Sequence, residues 1–211
     1  MNIKGIIFDL DGVIVSTDHF HYLAWKRLAD EEGIYFDENI NNRLRGVSRM
    51  ESLEIILENA NRTYSEEEKK ELAQRKNNYY VDFLSNLASK DILPNVMSTL
   101  EALKKKNIKI AIGSSSKNTP IILKMIGLSD YFDAVADGND IKKSKPDPEV
   151  FLIACERLNL IPKECMVIED AKAGIDAAKL GGMIAVSISD AYGYEKSDYS
   201  LKSIEDLLSI I

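Results

Sequence analysis

The chain has 211 residues, of which 45% are hydrophobic and 29% charged. This is the balance of an ordinary globular protein of one domain, or of one domain with a modest insertion, and it excludes a disordered, fibrous or membrane-embedded chain. Its 27 Lys+Arg against 34 Asp+Glu leave a formal charge of −7, which argues against general nucleic-acid or anionic-membrane binding, because no overall field draws in a phosphate polymer.

In chain order, residues 3–8 form an apolar, β-branched run that ends in Asp9. Residues from about 17 to 87 then hold no strand pattern but several helical ones: one marked by Leu23, Ala24, Trp25 and Leu28 and closed by Gly33, and two more over residues 50–59 and 65–84. Strand-like runs resume at 108–112, 134–136, 165–168 and 183–188, most of them continuously apolar, as parallel strands buried on both faces require. Helical patterns lie between them at 95–106, at 117–126 closed by Gly127, at 147–158 with Asp147 as N-cap and Pro148 first in the helix, and at 171–180 stopped by Gly181-Gly182.

Alternating strand and helix predicts an α/β fold, a doubly wound, Rossmann-like parallel sheet. A crossover needs only about a dozen residues plus its helix, so residues 17–87 are expected to form an inserted all-helical cap domain, with the catalytic core at 1–16 and 88–211. The insertion leaves just past the carboxyl end of strand 1, where ligands bind in open α/β folds. The EEEKKE run at 66–71 and Lys104 to Lys106 are expected to be solvated helix faces. Cys155 and Cys165 have no CxxC spacing and are expected to be buried thiols of a reducing compartment. The start of the chain is too short and too acidic in its apolar stretch for a signal peptide, and no run approaches the roughly 20 apolar residues of a membrane span. A cytoplasmic location is expected.

Chemistry is concentrated in a few segments. Asp9 and Asp11, two apart at a strand end, point the same way, and two such carboxylates need a cation or a shared proton between them. The alternative is an acidic turn before Gly12. Glu169-Asp170 ends another buried strand on the same edge of the sheet, and the two acidic pairs together offer the oxygen-rich site that suits Mg²⁺; alone, the second pair could simply cap the helix that follows. Ser114-Ser115-Ser116-Lys117-Asn118 places hydroxyls and amides at a helix start, a phosphate cradle or an ordinary N-cap. Lys145-Pro146 taken alone reads as a surface turn.

In this order the segments resemble the haloacid dehalogenase superfamily of phosphotransferases over the whole core. The resemblance implies Asp9 as nucleophile, Asp11 as general acid/base, Ser114 and Lys145 as catalytic partners, and Asp9, Asp11, Glu169 and Asp170 around the metal. An aspartate at the Asp11 position narrows the choice to phosphatases and phosphomutases. The helical insertion is similar to the cap of the β-phosphoglucomutase branch in His21-Tyr22-Leu23-Ala24-Trp25-Lys26, in Gly46-Val47-Ser48-Arg49 with Ser52, and in Arg75-Lys76-Asn77. By that resemblance His21 and Lys76 belong to a cap-closure network and Arg49, Ser116 and Asn118 hold substrate phosphates. Trp25, Gly46, Val47, Ser48, Ser52, Ser115 and Lys117 complete the expected substrate site, although Trp25 fits cap core better than a sugar-stacking ring.

The resemblance implies interconversion of β-D-glucose 1-phosphate and β-D-glucose 6-phosphate through an aspartyl-phosphate enzyme and glucose 1,6-bisphosphate, with Mg²⁺ as cofactor and glucose 1,6-bisphosphate as the priming donor. Hexose phosphates are the expected partners, with no nucleic acid and no membrane, and the chain is expected to be a monomer. A sugar-phosphate phosphatase is the alternative, and a phospho-aspartate signalling receiver is a rival that leaves the insertion unexplained. Two positions depart from the pattern: Ser16, where relatives often carry an acid, and Ala171, where many carry serine.

Overall fold

The apolar runs fold as strands β1 (Gly5–Phe8), β2 (Lys109–Gly113), β3 (Ala134–Ala136), β4 (Cys165–Glu169) and β5 (Ile184–Ser187), followed by a short β6 (Tyr199–Ser200) that no apolar run announces. The helices are α1 (Asp18–Glu32), α2 (Glu38–Asn42), α3 (Arg49–Leu57), α4 (Glu66–Leu84), α5 (Val96–Lys105), α6 (Thr119–Met125), α7 (Glu149–Arg157) and α8 (Lys172–Leu180). The computed structural model describes residues 2–44 and 47–211; Gly46, one of the expected substrate contacts, lies outside the described residues together with Met1 and Arg45.

The chain divides into two compact units, Met1–Ser16 with Ala88–Ile211, and Thr17–Leu87. The first carries a six-stranded sheet in the order β3-β2-β1-β4-β5-β6, parallel at every pairing. This is the order of a doubly wound Rossmann-like fold, whose strand connections reverse direction beside β1. Every residue of β1 and β4 is buried, which explains why these strands read as unbroken apolar runs rather than alternating ones. Ile7, Ala111, Phe151, Val167 and Ile175 belong to one core cluster on the sheet.

The second unit is helical. Trp25, Leu28 and Ala29 of α1 pack with Leu53 and Ile56 of α3 and with Leu72 and Ala73 of α4 in a core of their own. The spacing of three and four from Trp25 to Leu28 and Ala29, and of three from Leu53 to Ile56, places them on one face of α1 and of α3, and each large side chain removed from water there contributes about 1.5–3 kcal/mol. Gly33 caps α1 in the left-handed conformation. Ser48 and Ser65 open α3 and α4 with capping boxes to Glu51 and Glu68.

Two expected helix starts are corrected. Helix α7 has Pro148 as its N-cap, with no side-chain cap; Asp147 instead accepts the Glu149 N–H at 3.1 Å, an acidic turn one step ahead of the cap. Helix α6 begins at Thr119 rather than Lys117, because the serines before it are engaged in turns of their own. Cys155 and Cys165 are buried free thiols. Lys104, Lys105 and Lys106 are exposed, whereas the 66–71 run is exposed at Glu66, Glu67, Lys70 and Glu71 but half-buried at Glu68 and Lys69. No helix among the described residues is long and apolar enough to cross a membrane.

Candidate active site

The register of the three central strands sets the site. Phe8 of β1 pairs with Ile112 of β2 and with Ile168 of β4. The next residues, Asp9, Gly113-Ser114 and Glu169-Asp170, therefore leave the sheet side by side at its carboxyl edge. The Asp9 N–H still donates to Ile168 O at 2.9 Å, so Asp9 is held as a continuation of the strand. Asp9 is 8% exposed.

Lys145, which alone reads as a surface lysine, has only 9% of its side chain exposed and bridges two carboxylates from different strands: its Nζ lies 2.5 Å from Asp9 Oδ1 and also pairs with Glu169 Oε1. The other Glu169 oxygen accepts the Ala171 N–H at 2.9 Å. Glu169 is 1% exposed and is backed so closely by α8 that a β-carbon on Gly174 would fall 2.0 Å from its carboxyl group. Only glycine leaves room for that carboxylate.

One carboxylate oxygen each from Asp9, Glu169 and Asp170 lie within 4.8 Å of one another. Asp11 is not part of this triplet; its backbone bridges to Val15 in the tight turn after β1. Burial, outweighing the favourable Lys145 ammonium beside it, raises the Glu169 pKa, and burial followed by the charges of Asp9, Glu169 and Asp11 raises that of Asp170. Burial also opposes the Lys145 charge, but Asp9 and Glu169 together outweigh it and raise its pKa. An all-oxygen donor set with more negative charge than Lys145 offsets fits a hard divalent cation. The three acids form a set able to hold a metal ion.

The serine segment is a loop, not a helix cap. Ser114 Oγ accepts the Ser116 N–H and Ser116 Oγ accepts the Asn118 N–H, each at 3.2 Å. Asn118 precedes α6 without a side-chain cap. Ser114 and Asn118 are buried, Ser116 is half-buried and Lys117 exposed. Ser115 Oγ is buried and has no hydrogen-bond partner among the described residues.

The loop after β3 clamps this segment, a contribution that the sequence reading missed. Gly138 N donates to Ser116 O at 3.2 Å and Asn139 Nδ2 to Lys117 O at 3.0 Å, while the buried Asp137 carboxylate accepts the Asn139 N–H at 2.7 Å. The Asp-Gly-Asn-Asp turn at 137–140 was its available signal.

In the helical unit, Lys76 is 2% exposed and its Nζ lies 2.8 Å from His21 Nδ1. Burial, then the Lys76 and Arg49 charges, push the His21 pKa well below its ordinary value. Trp25, expected among the substrate contacts, is 2% exposed and packs in the helical core, with Lys76 Nζ 4.6 Å from its ring centroid; that environment makes it a core residue. Ser48 is spent on the α3 capping box, accepting the Glu51 N–H at 3.3 Å. Ser52 is buried and Val47 exposed. Arg49, at the first turn of α3, is half-buried, and burial lowers its pKa. Two residues of this group, Thr17 and Tyr80, escaped the sequence reading.

A family model for haloacid dehalogenase-like hydrolases matches residues 3–182. The chain is 44% identical to the β-phosphoglucomutase of Bacillus subtilis over 206 residues, covering 97% of this chain and 91% of that protein. It is 31% identical to a phosphorylated carbohydrates phosphatase of Thermotoga maritima, covering 99% of this chain and 98% of that one. Among solved structures, the β-phosphoglucomutase of Clostridium difficile superposes with a TM-score of 0.88 at 45% identity, over 97% of this chain and 93% of its own.

Proposed function

Because the chain belongs to the haloacid dehalogenase-like hydrolase family and is a homologue of β-phosphoglucomutase along nearly its whole length, we propose that it interconverts β-D-glucose 1-phosphate and β-D-glucose 6-phosphate through an aspartyl-phosphate enzyme and glucose 1,6-bisphosphate. The observation that carries the chemistry is the buried Asp9 carboxylate held 2.5 Å from the Lys145 ammonium, beside two further acids suited to a metal.

Phosphoryl transfer is mainly positioning and charge neutralisation. Asp9 is the nucleophile, and Lys145 offsets the repulsion between its carboxylate and an incoming phosphate. Asp9, Glu169 and Asp170, with Asp11 beside them, would hold Mg²⁺, which would supply positive charge for the phosphoryl oxygens. In the first half-reaction the bond between phosphorus and Asp9 breaks as the free sugar hydroxyl bonds to phosphorus, and Asp11 accepts the hydroxyl proton. The bisphosphate turns over, Asp9 takes back the other phosphoryl group, and Asp11 returns the proton to the departing sugar oxygen.

Ser114, Ser115, Ser116, Lys117 and Asn118 hold phosphate through hydroxyl and amide groups. The helical unit acts as the cap: Arg49 grips the phosphate that is not being transferred, with Val47, Ser48 and Ser52 around it, and His21 and Lys76 take part in closure. Glucose 1,6-bisphosphate primes the cycle by phosphorylating Asp9. Free hexose phosphates in the cytoplasm are the substrates.

The test is phosphorus NMR with β-glucose 1-phosphate, Mg²⁺ and a catalytic amount of glucose 1,6-bisphosphate. Glucose 6-phosphate should accumulate while the bisphosphate stays constant. Inorganic phosphate without glucose 6-phosphate would overturn the mutase reading in favour of a sugar-phosphate phosphatase, which the likeness to the Thermotoga maritima phosphatase supports as the second reading.

A further inference from the structure

The orientation of His21 depends on a set of contacts within the helical unit. With the Lys76 ammonium donating, His21 must accept at Nδ1, which makes the imidazole neutral and leaves its proton on Nε2. One face of that imidazole stacks on Tyr80, with ring centroids 4.0 Å apart and an interplanar angle of 29°. The same Tyr80 ring lies 4.9 Å from Lys76 Nζ, so it supports both members of the pair. Tyr80 is 1% exposed, and its hydroxyl donates to Thr17 Oγ1 at 2.9 Å.

Thr17 is the N-cap residue of α1, but its side chain makes no capping hydrogen bond. It is instead joined to His21 through the backbone, where the His21 N–H donates to Thr17 O at 3.0 Å. Thr17, His21 and Tyr80 therefore close a ring of one backbone bond, one stacking contact and one hydroxyl bond. The Tyr80 hydroxyl has a task that ring packing alone does not need.

We propose that Tyr80 is a positioning residue of the phosphomutase: its bond to Thr17 fixes the ring that holds His21 in the one tautomer and orientation able to accept Lys76. The inference rests on the reading that His21 and Lys76 take part in cap closure. Among the described residues, the charged and titratable groups facing His21 are Lys76 and Tyr80 from α4 and Arg49 from α3.

Tyr80→Phe keeps the ring and loses the hydroxyl, Thr17→Val removes the other partner, and Thr17→Ser keeps it. In the full chain with ¹⁵N-labelled histidine, only His19 and His21 report, and wild-type His21 should show the Nε2–H tautomer throughout neutral pH. In Tyr80→Phe and Thr17→Val its two ring nitrogens should move towards the averaged values of a solvated imidazole. In the same variants kcat for interconversion should fall by about three- to tenfold with KM changed by less than about twofold, and Thr17→Ser should resemble wild type in both. Unchanged His21 nitrogens with unchanged kcat in Tyr80→Phe would overturn the proposal, as would a rate loss that only tracks a loss of folded protein. If the wild-type chain interconverts no sugar phosphate, the underlying reading fails instead, and the tautomer comparison alone decides whether Tyr80 positions His21.

Discussion

Gly12 and Asp170 are so close that a β-carbon on Gly12 would lie 1.9 Å from Asp170 Oδ2, and Gly12 also has a φ of +80°. The turn after β1 thus sets where one metal-site carboxylate can stand. Gly12→Ala should cost about 1–3 kcal/mol in backbone strain and drive Asp170 out of the triplet with Asp9 and Glu169. Metal affinity should fall by about 10–100-fold, the range seen when support for a ligand is lost. Titration calorimetry with Mg²⁺ checks this, and an unchanged affinity would show that Asp170 can move without leaving the site.

Lys145 is the cation between Asp9 and Glu169, and truncating it strands both acids in a buried setting. Breaking a buried pair from one side costs about 3–5 kcal/mol. Because burial already raises the Glu169 pKa, that acid takes up a proton as the pH falls and the stranded charge disappears. The deficit of Lys145→Ala should therefore be greatest above neutrality, shrink in acid, and be partly relieved by Mg²⁺. Urea denaturation at several pH values, with and without the ion, measures it; a deficit independent of pH would contradict this account.

What could be read from the residues alone followed from burial. β1 and β4 are covered on both faces and left unbroken apolar runs, and the strand order then brought Asp9 and Glu169-Asp170 to one edge. Features set by distant pairing left no local trace. β6 is two residues, Tyr199 and Ser200, defined by their partners in β5. α2 has five residues and buries none of them; it is opened by Asp37, which accepts the Ile40 N–H at 2.9 Å. Lys145 looks like a turn residue until Asp9, 136 positions away, is brought to it. Tyr80 and Thr17, 63 positions apart, are joined only by the packing of α1 on α4.

His21 gives the helical unit a specific pH response. Its folded pKa lies well below the ordinary value through burial, Lys76 and Arg49, whereas in the unfolded chain it titrates near about 6.5. The unfolded state therefore binds the proton first, so the contribution of neutral His21 is complete above about pH 6.5 and is lost as the pH falls towards the folded pKa. The slope is at most about 1.4 kcal/mol per pH unit. The difference in unfolding free energy between wild type and His21→Gln should narrow as the pH drops from 7 to 5. A constant difference across that interval would mean that His21 is protonated equally in both states.

Arg49 separates the mutase reading from the phosphatase one. Ser48 and Glu51 already cap the helix that Arg49 begins, and no hydrogen bond or ion pair holds its guanidinium among the described residues, so Arg49→Ala should change stability by no more than about 0.5 kcal/mol. Burial works against its charge, a cost that a bidentate bond to a phosphate offsets. Losing such a charge-assisted contact is worth about 1.5–3 kcal/mol, or about 10- to 150-fold in kcat/KM for the interconversion. Formation of phospho-Asp9 from a small donor such as acetyl phosphate has no second phosphate to hold and should keep its wild-type rate. A variant that loses both activities equally would place Arg49 in the folding of the helical unit instead, and a variant that loses neither would leave the chain without the second phosphate grip that a mutase requires.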